Sequence, residues 1–149
     1  METREMGRVT VEARVENLKD AWEVEKGLRA AADARTAIVE EALVDTGATS
    51  LSLPSKYIAE LGLKKDREQR VRTSVGIRQA AVYEPVRLTI QGRHCLVEVF
   101  EVPDDIPALI GQIPLEWLDF VVDPASQRLI GNPAHGDSTS WTCSSRACR

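Results

Sequence analysis

At 149 residues, with 43% apolar and 28% charged residues, the chain suits a single domain with its own core and is too apolar for a disordered or low-complexity segment. Nineteen basic against 23 acidic residues leave a net charge of −4 and a pI near 5.3, with no basic footprint for nucleic acid or an anionic membrane. No uncharged apolar run approaches the length of a bilayer span, and METREMGRV at the start lacks the apolar stretch of a signal peptide, so a cytoplasmic location is expected.

In chain order, residues 8–131 read as the folded domain after a seven-residue N-terminal tail. Arg8 to Val15 alternate, with Val9, Val11, Ala13 and Val15 on one face, the pattern of a half-buried strand. The alternation stops at Asn17, and 17–35 reads as a helix or loop insertion with a short helix around Leu18, Trp22 and Glu25. Ala37 to Val44 is a second strand that runs into Asp45-Thr46-Gly47. Leu53 to Leu63 predicts a short helix with Pro54 in its first turn, Tyr57, Ile58 and Leu61 on one face, and Gly62 as its stop.

Lys64 to Arg70 is a charge run expected to be a surface loop. Strands are expected over Val71–Val75, Gln79–Ile90 and His94–Val102, with turns at Gly76 and Gln91-Gly92. Val86, Leu88 and Ile90 should share the buried face. Pro103-Asp104-Asp105 breaks the sheet before Ala108-Leu109-Ile110-Gly111, and Pro114 opens a helical turn through Trp117. A turn at Asp123–Ser126 separates DFVV from QRLIG. Residues 132–149 lack periodicity and read as a flexible tail.

Three cysteines do not make a disulfide framework: Cys95 falls in a strand and reads as a core residue, and Cys143 and Cys148 lie in the tail, where their spacing is a weak signal. Together these elements give a mainly β domain with one or two short helices.

Two signatures carry the chemistry. Asp45-Thr46-Gly47-Ala48-Thr49 ends an apolar strand, and Ala108-Leu109-Ile110-Gly111 follows with its Gly 64 residues after Gly47. Together they resemble the retropepsins, the retroviral-type aspartic peptidases, and above all the bacterial stand-alone members. The resemblance spans Ala37 to Gly131 and implies a closed or partly open β-barrel, acting as a homodimer with the active site on the two-fold axis. It makes Asp45 the catalytic residue, supported by Thr46, Gly47 and Ala48, with Thr46 reaching across to the other subunit. Leu109-Ile110-Gly111 becomes the strand beside the active-site loop, and the hairpin near Arg72–Ala81 becomes the flap, with Gly76 near its tip. That flap departs from the family pattern in having a single Gly and no aromatic residue. Thr49, Ser74, Val75, Gly76 and Ile110 are the expected substrate-binding positions.

The chemistry explains the dimer. A carboxylate that activates water against an amide needs a second carboxyl close by, since two like charges at about 3 Å cannot both ionise. One D-T-G per chain therefore calls for two copies of Asp45, one from each subunit. The expected partners are a second copy of the chain and a peptide or protein substrate, with no nucleic acid, membrane, metal or other cofactor. The terminal segments Val9–Val15 and Arg128–Gly131 are the expected interface strands.

Other constellations are weaker. His94 and His135 lack zinc-ligand spacing, and Ser50 and Ser52 have no positioned His. Glu40-Glu41 and Asp104-Asp105 read as solvated charges, and Trp22 and Trp117 as packing residues. Two competing readings are a retropepsin-fold dimer that binds peptides or protein partners without cleaving them, and an unrelated β domain in which D-T-G is only a turn.

Overall fold

The computed structural model of the protein describes residues 8–73 and 76–135. Its main sheet begins with β1 (Thr10–Asn17) and β2 (Thr36–Val44), paired antiparallel with a bulge that sets Glu12 against the exposed Glu40-Glu41. It continues through β7 (Leu109–Ile110), β3 (Leu51–Pro54), β6 (Arg93–Val102), β5 (Gly76–Ile90) and β4 (Lys65–Thr73). The sheet curls so far that β1 also pairs with β5, Arg14–Asn17 lying opposite Val86–Thr89. Because β7 contributes only two residues to each neighbour, the result is a partly open sheet rather than a closed barrel. A separate hairpin joins β8 (Phe120–Asp123) to β9 (Arg128–Gly131).

The alternation read from the sequence sets the core. Val86, Leu88 and Ile90 of β5 and Cys95 and Val99 of β6 are fully buried together with Leu51, Leu53 and Ile110. Glu84-Pro85 form a bulge in β5, a place where a strand tolerates proline.

Four expectations are corrected. The charge run at Lys64–Arg70 is not a surface loop: from Lys65 onward it is β4, paired along its length with β5. Leu53 and Pro54 end β3, so the second helix, α2, covers Ser55–Leu61. Trp22 and Trp117 are each 45% exposed rather than packed inside. Their helices, α1 (Leu18–Glu25) and α3 (Gln112–Leu118), bury other faces: Asp20 and Ala21 in α1, and Pro114, Leu115 and Leu118 in α3. His135 belongs to a short turn, Pro133–His135, and its Nδ1 lies 2.7 Å from Asp119 Oδ1. The rest of the tail, 136–149 with Cys143 and Cys148, falls outside the described residues.

The insertion is tied down by polar groups. Asn17 caps α1 by accepting from Asp20 N, and its Nδ2 donates to Leu61 O at 2.8 Å. The buried Asp20 carboxylate accepts from Arg35 Nε at 2.7 Å, Arg35 Nη2 at 3.1 Å and Arg35 N at 3.0 Å. Arg35 hydrogen bonding outweighs burial and lowers the Asp20 pKa to about 2. The same guanidinium lies over Gly62, whose positive φ of 63° closes α2 and where any β-carbon would meet Arg35.

The folded state thus holds Asp20 below its ordinary value near 4, so this stabilisation is complete above that pH and is lost as pH falls through about 2. Arg35 is 43% exposed and screened by solvent, which limits the effect to about 1–2 kcal/mol. Denaturant melts of wild type and Asp20→Asn should show a stability gap at pH 6 that narrows by that amount on approaching pH 2. A pH-independent gap would show that the loss is one of packing alone.

Candidate active site

β2 delivers Asp45 at its end, where the sheet's hydrogen bonding passes into a loop held from two sides. Leu43 N donates to Ala108 O at 2.8 Å and Asp45 N to Ile110 O at 2.9 Å, so β7 grips the strand up to Asp45 itself. The loop then turns on itself, with Ala48 N donating to Asp45 O at 3.0 Å. Gly47 N donates to Asp45 Oδ1 at 2.9 Å, a charge-assisted bond that orients the carboxylate. Ser50 is buried, and its Oγ donates to Glu98 O at 3.1 Å, fixing the loop's far end to β6.

The second signature closes the arrangement. Gly111 N donates to Ser50 O, Gln112 N to Ala48 O and Ile113 N to Thr49 O, each at 2.9 Å. The start of α3 therefore spends its otherwise unpaired N–H groups on the carbonyls of the Asp45 loop. A β-carbon at Gly111 would sit 2.5 Å from Ser50 O, 2.7 Å from Thr49 C and 2.8 Å from Ala48 O, all backbone atoms. Only glycine permits this approach. Pro114 falls in the first turn of α3, where its missing N–H costs nothing.

The loop's outer surface is open. Asp45 is half-buried, Ala48 likewise, and Thr46, Gly47 and Thr49 are exposed. Ile110, expected at the substrate, is fully buried, and what it offers the site is its carbonyl. Gly76 begins β5 opposite Thr73 at the end of the hairpin, with a φ of 120°, while Ser74 and Val75 lie outside the described residues. A cavity of about 750 Å³ between β2 and the Asp104–Ala108 segment does not include Asp45 in its walls.

The role of Gly111 and the share taken by the α3 amides were not readable from residue types. The only sequence signal was the apolar-apolar-Gly pattern itself. Asp104 likewise proves structural, its Oδ1 accepting from Lys56 N at 2.9 Å at the start of α2.

A curled, mainly β sheet in which a D-T-G loop is locked against an apolar strand ending in glycine defines a retropepsin-like aspartyl protease fold. Residues 38–117, more than half of the chain, match the family described as gag-polyprotein putative aspartyl protease, and the chain belongs to that family. D-T-G is therefore not a turn in an unrelated β domain. No curated protein matches the chain.

Proposed function

We propose that the protein is an aspartic endopeptidase that works as a homodimer, its two Asp45 carboxyls meeting on the two-fold axis. The observation that carries this reading is the Asp45 loop: its carboxylate is oriented by Gly47 N–H, its backbone is clamped by β7 and α3, and its outer edge is open. A single chain brings one such aspartate, and a second copy supplies the other half.

In this dimer one Asp45 is ionised and its counterpart protonated, since two like charges this close cannot both ionise. The ionised carboxylate takes a proton from a water molecule as that water's oxygen attacks the scissile carbonyl carbon. The protonated partner hydrogen-bonds the carbonyl oxygen as it becomes an oxyanion. The C–N bond then breaks as the leaving nitrogen takes up the proton that the first Asp45 removed from the water, which returns the pair to its starting state, and the products are a carboxylic acid and an amine. Thr46 reaches toward the opposite loop, Thr49 contacts the substrate backbone, and the β4–β5 hairpin serves as the flap.

The interface has less free strand edge than the sequence suggests. Arg14–Glu16 already pair on both edges, with β2 and with β5, so among the described residues it is Thr10–Ala13 of β1 that keeps an open edge. Dilution tests the whole reading. Hydrolysis per chain should fall as concentration drops through the dimer dissociation constant measured by sedimentation. Constant specific activity in solutions shown to be monomeric would overturn it.

A further inference from the structure

The stretch 69–81, QRVRTSVGIRQAA, carries three arginines and no acidic residue in a chain whose net charge is −4, and its described residues, 69–73 and 76–81, belong to the β4–β5 hairpin. The base of the hairpin is neutralised. Arg67 binds Glu98 through two bonds of 2.9 Å, Lys65 pairs with Glu68, and behind them Arg87 pairs with Glu25. The side chains of Arg70, Arg72 and Arg78 form no hydrogen bond or ion pair among the described residues. Three like charges close together without partners repel one another, a cost relieved by an anionic ligand.

The register arranges these charges. Arg70 and Arg72 lie opposite Gln79 and Ile77 and share one face, and Arg78 lies opposite Val71 on the other. Arg70, Val71, Arg72 and Ile77 line a depression of about 190 Å³, in which Ile77 is 55% exposed. An apolar surface lined also by two arginines matches a side chain with a methylene stem and a carboxylate end.

We propose that this hairpin selects acidic peptides, Arg70 and Arg72 holding a Glu or Asp side chain of the substrate close to the bond cut at Asp45. The proposal rests on the peptidase reading above. A peptide fits better than a nucleic acid, because 69–81 has no aromatic residue on which a base could stack and the chain as a whole is acidic.

The test is a mixed peptide library digested by the full chain and read by mass spectrometry, followed by a matched pair of fluorogenic peptides with Glu or Gln beside the cut. The Glu peptide should have a kcat/KM about tenfold higher, mainly through KM, with an advantage that shrinks as salt is raised. Replacing both Arg70 and Arg72 by Glu should erase or invert the Glu-to-Gln ratio, whereas Lys26→Gln should leave it unchanged. Equal turnover of the two peptides, or a ratio indifferent to the double replacement, overturns acidic selection while leaving the peptidase standing.

If no peptide is cut in an Asp45-dependent way, the peptidase reading falls. Anisotropy of the same two peptides, labelled and bound to Asp45→Asn, then decides the selection by itself. Tighter binding of the Glu peptide supports it, and equal binding overturns it. Displacement of that peptide by a short single-stranded oligonucleotide at lower concentration than by unlabelled Glu peptide would assign the arginines to phosphates and overturn it as well.

Discussion

Replacing Asp45 by Asn is expected to reduce peptide hydrolysis by on the order of 10³-fold or more in kcat, since an amide cannot take the proton of the attacking water. The fold should survive. Within its own loop the Asp45 side chain accepts Gly47 N–H through Oδ1, and the amide oxygen of Asn accepts the same bond. Mixing the variant with wild type separates a shared site from an independent one. When subunits exchange freely in an equal mixture, about a quarter of the dimers carry two aspartates, so activity should fall to about a quarter of that of the same total amount of wild type. Activity that falls only to a half would mean that each chain works alone. Full activity in the Asn homodimer would remove Asp45 from the chemistry.

What the sequence disclosed depended on contrast between neighbouring residues. Val9 to Val15 and Val86 to Ile90 set apolar against polar at a period of two, and both are strands where that pattern put them. Lys65 to Arg70 is also a strand, but both of its faces are polar, so a period of two leaves no mark. Pairing with β5 and the Arg67–Glu98 bridge hold it instead, and these depend on residues far along the chain. The Asp45 motif was legible because it is short and contiguous. Its supports were not, since Ala48, Thr49 and Ser50 meet Gly111, Gln112 and Ile113 only after five strands and a helix have been laid between them. The insertion was visible as a break in periodicity. The buried carboxylate of Asp20, which anchors it, looked from the sequence like one more charge on a helix.

Gly111→Ala is the substitution that tests those supports, and it is expected to damage the site without touching a reacting group. The added methyl would lie 2.5 Å from Ser50 O and 2.8 Å from Ala48 O, with Thr49 C between them. A flexible side chain could swing away, but these are backbone atoms of the loop that presents Asp45. Either β7 and α3 retreat or the loop does, and both movements lengthen the bonds from Gly111, Gln112 and Ile113 to that loop. Such overpacking costs about 2–3 kcal/mol, which is a large fraction of the stability of one small domain. Catalysis should suffer beyond the loss of folded protein, because a carboxylate misplaced by about 1 Å can lose on the order of 10²-fold in rate. The two effects separate when kcat is measured at a temperature where circular dichroism shows the variant fully folded and sedimentation shows its association unchanged. A folded, associated variant with wild-type kcat would show that the close approach at Gly111 serves packing alone and that the placement of Asp45 is fixed by β2.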